Sequence, residues 1–159
     1  MTLENLKQLK KDGWCYLASV MDLYSKKFIG YSLSRNMTTN LVVKSSENAY
    51  YTQKSQKGLI LHTDLGTQYA NQEFQTLLVN YNIKPSFSKK DCPYDNTYIE
   101  SLHAILKKEE VHRTKYISFE EANLALFQYI EGFYNRKLIY SSIGYKTPQA
   151  IEDLATKVA

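Results

Sequence analysis

This chain has few cysteines, prolines and glycines, the residues that form disulfides or favour turns and breaks in helices and strands. Its 159 residues include only two cysteines, three prolines, six glycines and one tryptophan. Cys15 and Cys92 stand apart from each other and from any His/Cys cluster, so we expect two reduced thiols rather than a disulfide or a zinc site. No apolar run approaches the roughly 18 residues that span a membrane, and residues 1–11 lack the apolar core of a signal peptide. These absences favour a soluble intracellular protein.

The composition is that of a globular domain with a mildly basic charge. Hydrophobic residues make up 43% and charged residues 23% of the chain, which is outside the range of disordered proteins. A chain of this length is normal for one domain and buries roughly 70% of its unfolded surface. The formal net charge is +4 and the pI is about 8.9, which is compatible with a nucleic acid partner and does not require one.

Strand and helix signals alternate along the chain. The pattern predicts a hairpin of strands at 14–20 and 27–34, further strands at 59–63 and 83–88, and helices at 38–51, 71–82, 96–112, 118–134 and from Thr147-Pro148 onward. The apolar strand at 59–63 is expected to be buried, and Pro85 favours an edge position for 83–88. Residues 1–11 look helical or frayed rather than extended. This order indicates an α/β sheet with crossover connections.

One carboxylate follows directly after a short apolar strand. Asp64 follows the run LILHT, His62 precedes it by two residues on the same face, and Gly66 permits a tight turn after it. Ligands bind at such strand ends in open α/β sheets. Asp is equally common as a plain turn residue, so Asp64 alone does not establish a site.

A second carboxylate lies on a helix with one polar side. Lys107 falls about 20° from Glu100 around the helix axis, and Asn96 and His103 fall on the same side. The apolar residues gather on the opposite side, where they can pack on a sheet: Ile99, Leu102, Ile105 and Leu106. We therefore expect a face that projects a carboxylate, a histidine and a lysine, and an ordinary solvated face would show the same pattern.

Taken together, the two carboxylates resemble a known family. Thirty-five residues separate Asp64 from Glu100, and the segments HTDLGTQY and PYDNTYIESLHAILKKE resemble the second and third acidic motifs of DDE transposases and retroviral integrases. The chain is most similar to the OrfB-type transposases of insertion sequences, over nearly all of residues 12–153 and including the late motif GYKTP. The resemblance implies an α/β, RNase H-like fold: a mixed sheet flanked by helices, with an integrase-like core at 12–134 and a C-terminal extension at 135–159.

The resemblance also implies a chemistry. In the family, acidic residues hold two Mg²⁺ or Mn²⁺ ions for DNA cleavage and strand transfer, so Asp64 and Glu100 match metal ligands and Lys107 matches a DNA-contacting residue. Mg²⁺ prefers oxygen ligands, which agrees with carboxylates in these positions. Lesser candidates for shaping the site or touching DNA are His62, Gln68, Tyr69, Asn96, Arg136 and Lys137. The implied partners are DNA, as transposon ends and target, and further copies of the chain, in the bacterial cytosol near the nucleoid.

One part of the family pattern is missing. The family places a first acidic residue on its opening strand, roughly ten residues before the position of Trp14, and residues 1–11 contain no Asp. Glu4 is the only carboxylate there, and imperfect substitution by Glu4 is an alternative to a truncated start. Asp22 matches a turn of the hairpin instead. We expect a truncated or degraded start at 1–11, a missing first strand, and impaired or absent catalysis. The alternative is a non-catalytic fragment that binds DNA or full-length transposase.

Overall fold

The computed structural model describes residues 1–9, 13–53, 58–64, 66–88 and 97–158. Within these residues the strands are β1 (Thr2–Leu9), β2 (Gly13–Met21), β3 (Phe28–Ser34), β4 (Ile60–Thr63) and β5 (Lys84–Phe87). The helices are α1 (Thr39–Thr52), α2 (Gln72–Asn80), α3 (Thr97–Leu106), α4 (Phe119–Phe127) and α5 (Pro148–Val158). π-helical turns extend α3 over Lys107–Val111 and α4 over Gln128–Tyr134. None of the described helices is long and apolar enough to cross a membrane.

The strands form two sheets that meet at the start of the chain. β1, β2 and β3 form an antiparallel sheet in that order, and β4 pairs with β5 in parallel. The amino group of Met1, just before β1, donates to the carbonyl oxygen of His62 in β4 at 2.7 Å. This contact brings the free side of β1 next to β4.

The expectation of a missing or degraded first strand at 1–11 is wrong, because the backbone forms a strand there. Thr2–Leu9 is a strand paired with β2 from Thr2 opposite Ser19 to Leu9 opposite Gly13. The leucines of this segment recur every third residue, a spacing that is closer to a helix than to a strand. Pairing with β2 overrides that local preference, and a register shift between Asn5 and Lys7 absorbs the irregular spacing.

Two apolar cores lie on opposite faces of the first sheet. The α3–α4 core joins β2 and β3 to the helices α3 and α4 and their π-helical turns, through Leu17, Phe28, Ile99, Leu102, Leu106, Leu126 and Ile130. The α1–α2 core joins β2 to α1 and α2, through Ala18, Val20, Leu41, Val42, Phe74 and Leu78. Helices therefore cover both faces, as expected of an α/β sheet.

Most predicted elements are confirmed, with one difference in burial. β4 occupies the predicted strand, but Ile60 at its start is 69% exposed and Thr63 at its end is buried. An apolar run cannot show which end of a short strand is covered, and here only the Thr63 end is enclosed. β5 lies at the outer edge of its two-stranded sheet, as Pro85 predicts. The thiol of Cys15 is buried and burial raises its pKa to about 12, whereas Cys92 lies outside the described residues.

Asn135 fastens the C-terminal segment to the outer strand β3. Its side chain is fully buried, Oδ1 accepts a hydrogen bond from the Phe28 N–H at 3.0 Å, and Nδ2 donates to the Phe28 carbonyl at 3.1 Å. The carbonyl of Asn135 accepts from the N–H of Gln149 in α5 at 2.8 Å. An ion pair between Lys27 and Glu152 adds a second link between the hairpin and α5.

Gly30 in β3 allows α1 to pack directly on the sheet. A methyl group at this position would lie 2.6 Å from the Cβ of Ala49 and would also overlap the carbonyl oxygen of Ser45. We expect Gly30→Ala to lower the free energy of unfolding by at least about 1–3 kcal/mol, because helix backbone cannot yield as a side chain can. Urea denaturation of both proteins measures the difference.

Gly132→Ala is the matched control for this prediction. A methyl group at Gly132 would meet no atom within 4 Å, and the residue lies in the helical segment after α4. Its stability should stay the same or rise by up to about 1 kcal/mol, since Ala favours helix over Gly. Equal effects of the two substitutions would contradict the close packing of α1 on β3.

Candidate functional site at the end of β4

The chain turns sharply where β4 ends, and the turn holds Asp64. The Asp64 side chain is half-buried, and its Oδ1 accepts a hydrogen bond from the N–H of Gly66 at 2.9 Å. The N–H of Tyr69 donates to the Gly66 carbonyl at 3.0 Å and closes the next turn. A carboxylate has about four lone-pair sites, so this bond orients the group and leaves acceptor capacity for a cation.

Gly66 brings a second oxygen close to this carboxylate. A methyl group on Gly66 would lie 3.0 Å from Asp64 Oδ1, 3.1 Å from Gln68 Oε1 and 3.3 Å from the ring of Tyr69. The absence of a side chain at Gly66 therefore lets Asp64 and Gln68 share one small space. Both are hard oxygen donors, the type that Mg²⁺ binds.

Tyr69 anchors this turn to the protein core. It is 1% exposed and packs edge-on against Phe74 of α2, with 5.5 Å between the ring centroids. Its hydroxyl has no hydrogen-bond partner among the described residues. Burial raises the pKa of Tyr69, and the negative charge of Asp64 raises it further. This burial favours a role in shaping the turn over a contact with DNA.

His62 is engaged between the two strands of the second sheet. Its Nδ1 lies 2.9 Å from Ser86 Oγ and its Nε2 lies 3.2 Å from Ser88 Oγ, so both ring nitrogens bridge to β5 or the residue after it. Its carbonyl accepts from the Met1 ammonium. Burial lowers the pKa of that ammonium to about 6, and the nearby Asp64 carboxylate opposes the shift.

Glu100 and Lys107 lie on α3, at its first turn and at its end. The buried residues Ile99, Leu102 and Leu106 pack on the sheet, and Glu100 is exposed. Lys107 is half-buried at the point where α3 passes into the π-helical turn. Such turns are frequent at functional sites. Asn96, a further candidate from the sequence, lies outside the described residues.

His103 does not join the exposed face that was expected for it. It is 1% exposed, and its Nε2 lies 2.7 Å from the hydroxyl of Ser19 in β2. The helical projection placed it at the border of the apolar side, and a polar partner across the interface draws it inward. Ser19 was a weak signal of this contact, because it is a polar residue inside an apolar strand.

The other candidates lie elsewhere. Arg136 and Lys137 are exposed in the turn after the π-helical extension of α4. Asp22 closes the β2–β3 turn as predicted, with Oδ2 accepting from the N–H of Ser25 at 2.7 Å and from its hydroxyl at 2.6 Å. In the described part of the chain, no group of three or more His, Cys, Asp or Glu side chains is arranged to hold a metal ion.

Comparisons with protein families and curated sequences identify the proteins that this chain resembles. Two models described as "Integrase core domain" match the chain, one over residues 5–93 and the other over 81–148. A transposase for insertion sequence element IS904 of Lactococcus lactis is 37% identical over 142 residues, which cover 89% of this chain and 56% of the relative. Transposase InsF for insertion sequence IS3A of Escherichia coli is 39% identical over 142 residues, covering 89% and 49%. The chain thus spans about half the length of these relatives.

Solved structures show the same fold. A chain in the structure of the simian T-cell lymphotropic virus intasome in complex with PP2A regulatory subunit B56 gamma superposes with a TM-score of 0.74 at 18% identity, covering 94% of this chain and 51% of the other. The HTLV-2 integrase catalytic core domain in complex with magnesium, in its dimeric form, gives 0.67 at 20% identity, covering 94% and 90%. These similarities confirm the expected RNase H-like α/β fold.

The unpartnered hydroxyl of Tyr69 gives a direct test of its role. We expect Tyr69→Phe to leave the free energy of unfolding unchanged or slightly higher, because no hydrogen bond is lost. Tyr134→Phe is the matched control: the Tyr134 hydroxyl donates to the Lys26 carbonyl at 3.0 Å, and its loss should cost about 1 kcal/mol. Thermal unfolding of the two variants measures the contrast. A loss of about 1 kcal/mol in Tyr69→Phe would show that its hydroxyl is bonded after all.

Proposed function

Because this chain belongs to the integrase core domain family, we propose that it is part of an insertion-sequence transposase and carries out metal-dependent phosphoryl transfer on DNA. The observation that carries the proposal is the turn after β4, where the Gly66 N–H orients the Asp64 carboxylate. Asp64 follows the carboxyl end of a strand, the place where α/β sheets bind ligands. The relatives named above are transposases, and one of the similar structures contains magnesium.

In this proposal Asp64 and Glu100 hold the divalent cations. Their carboxylate oxygens suit Mg²⁺ or Mn²⁺, and the Asp64 side chain keeps acceptor capacity beyond its bond to Gly66. When bound, such ions polarise phosphoryl oxygens and lower the pKa of a bound water or hydroxyl. Gln68, beside Asp64 in the same turn, supplies a further oxygen donor, and buried Tyr69 keeps the turn rigid.

Lys107 would hold the DNA backbone near the carboxylates. It lies two helical turns after Glu100 and about 20° from it around α3, so both side chains leave the helix on nearly the same side. A lysine ammonium binds a phosphate as a point charge and carries no sequence preference. The exposed Arg136 and Lys137 would add positive charge at the end of α4. The partners are then DNA and, as in the dimeric integrase core, a second copy of the chain.

Catalysis is proposed to be impaired in this chain. Residues 1–11 hold no Asp, and Glu4 lies ten residues before Trp14, where the family has its first acidic residue. Glu4 is paired with Leu17, and Leu17 is buried in the α3–α4 core, on the face of the sheet that α3 covers. A glutamate is one methylene longer than an aspartate, and a misplacement of about 1 Å costs on the order of 100-fold in rate.

Glu4→Asp tests this proposal directly. With supercoiled plasmid DNA and Mn²⁺, we expect the unaltered chain to nick slowly or not at all, and Glu4→Asp to nick at least about 10-fold faster, because it supplies the shorter acidic residue that the family has at this position. The nicked fraction is measured on agarose gels over time. Asp64→Asn combined with Glu4→Asp should abolish the gain.

Each other outcome has a defined meaning. Rapid nicking by the unaltered chain would overturn the proposed impairment. Nicking that survives Asp64→Asn would overturn the metal site itself. If every variant binds DNA and none nicks it, the chain is a non-catalytic DNA-binding part of the transposase.

The role of Lys107 predicts a change in salt dependence. DNA affinity that rests on phosphate contacts falls with salt at a log–log slope of roughly −0.9 per neutralised phosphate. We expect Lys107→Ala to reduce the size of that slope by about one, equally for unrelated DNA sequences. Fluorescence anisotropy with a labelled duplex of arbitrary sequence measures the slope. Lys157→Ala, on the exposed face of α5, should leave it unchanged; an equal change in both variants would refute a specific role for Lys107.

A further inference from the structure

α3 packs on the sheet through contacts that do not by themselves fix its rotation. Ile99, Leu102 and Leu106 are buried in the α3–α4 core, and apolar contacts of this kind are non-directional. A buried hydrogen bond crosses the same interface. The Nε2 of His103 lies 2.7 Å from Ser19 Oγ, 84 residues away in the chain, and both side chains are fully or almost fully buried.

The His103 ring is itself fixed in place. Phe28 of β3 lies nearly parallel to it, with 6.3 Å between the ring centroids and 22° between the planes. A hydrogen bond between buried groups is directional and is costly to break, because water cannot replace the lost partner. Together with the packed apolar side chains, the Ser19–His103 bond therefore restricts both the rotation of α3 and its position along the helix axis.

A second directional contact holds the start of the same helix. The ammonium of Lys26, in the β2–β3 turn, lies 3.7 Å from the centre of the Tyr98 ring. Lys26 has a left-handed backbone with φ of 63°, and its carbonyl accepts from the Tyr134 hydroxyl at 3.0 Å. Lys26 is thus held in place through both its carbonyl and its ammonium group.

Glu100 lies between these two contacts. Glu100 follows Tyr98 by two residues and precedes His103 by three. The separation from His103 is therefore about 4.5 Å along the helix axis. Both contacts join α3 to the β2–β3 hairpin: the start of the helix contacts the hairpin turn, and its second half contacts β2. Ser19 is also paired with Thr2 of β1, and the residue before Thr2 contacts β4, the strand that Asp64 directly follows.

We infer that the β2–β3 hairpin positions Glu100 for metal binding. The Ser19–His103 hydrogen bond is the main contact that holds α3 in place, and the Lys26–Tyr98 contact is the second. The inference rests on the proposed function, since it assigns a positioning role toward the Glu100 carboxylate. Ser19 and His103 touch no reacting atom. They act by fixing the helix that carries a ligand, and groups that orient metal ligands change metal affinity by about 10–100-fold when removed.

Three serine variants test the inference by Mn²⁺ binding, which needs no catalysis. Titration of the chain followed by the electron paramagnetic resonance signal of free Mn²⁺ gives the affinity, and thermal unfolding gives the stability. We expect Ser19→Ala to weaken Mn²⁺ binding about 10-fold. Ser19→Thr keeps the hydroxyl and should restore most of the affinity.

Ser45→Ala is the matched control. Ser45 is equally buried, but it lies on α1 in contact with the Gly30 carbonyl, on the opposite face of the sheet. It should lower the melting temperature as Ser19→Ala does and leave Mn²⁺ affinity unchanged. If Ser19→Ala does not fold, Tyr98→Ala replaces it, because Tyr98 is exposed and its loss should weaken Mn²⁺ binding two- to threefold without lowering stability.

Asp64→Asn separates this inference from the proposed function. If Asp64→Asn leaves Mn²⁺ affinity unchanged, the metal site is wrong. If Asp64→Asn abolishes binding while Ser19→Ala and Ser45→Ala bind Mn²⁺ equally well, the site is right and the positioning role is wrong. Loss in Ser19→Ala alone, with recovery in Ser19→Thr, supports the inference.

Discussion

Leu17 and Ala18 are neighbours in β2, yet they lie in different apolar cores on opposite faces of the sheet. Alternation along β2 forces this arrangement, because successive side chains of a strand point in opposite directions. Every residue from Leu17 to Val20 is buried, so the strand needs a helical cover on each side. α1 and α2 provide one cover, and α3 and α4 provide the other. A shift of β2 by one residue would exchange the two sets of contacts and dissolve both cores.

The two candidate metal ligands depend on this architecture in different ways. Asp64 is held locally, by a turn in which Gly66 supplies both the hydrogen-bond donor and the necessary space. Glu100 is held by tertiary packing, since it sits on a helix whose rotation is set by contacts to β2 and the hairpin turn. Sequence changes far from Glu100 can therefore move it, whereas Asp64 responds mainly to changes within its own turn.

The features that the sequence predicted correctly are those with a local physical cause. The β2–β3 hairpin, the Asp22 turn and the helix opened by Thr147-Pro148 each follow from residues close together in the chain. The position of Asp64 after a strand belongs to the same class. The acidic motifs gave the family, because their residue types and spacing are specific where composition is not.

The features that the sequence did not predict depend on a partner that is distant in the chain. Residues 2–9 form a strand only because β2 offers an edge to pair with, and their leucine spacing points away from that result. The helical pattern of the sequence predicts that His103 is solvated, but the packing of α3 places it against Ser19 of β2. The exposure of Ile60 depends on which end of β4 the rest of the fold covers. No short window of sequence contains these partners.

The link between Asn135 and Phe28 has a consequence for the synthesis of the chain. Phe28 leaves the ribosome 107 residues before the side chain that completes its main-chain hydrogen bonds. Until then β3 has an open outer edge, and such edges pair readily with strands of other chains. Asn135 closes that edge at Phe28, where its side-chain amide bonds the main chain as a neighbouring strand would. The shielding of β3 at Phe28 is therefore completed only after Asn135 has emerged.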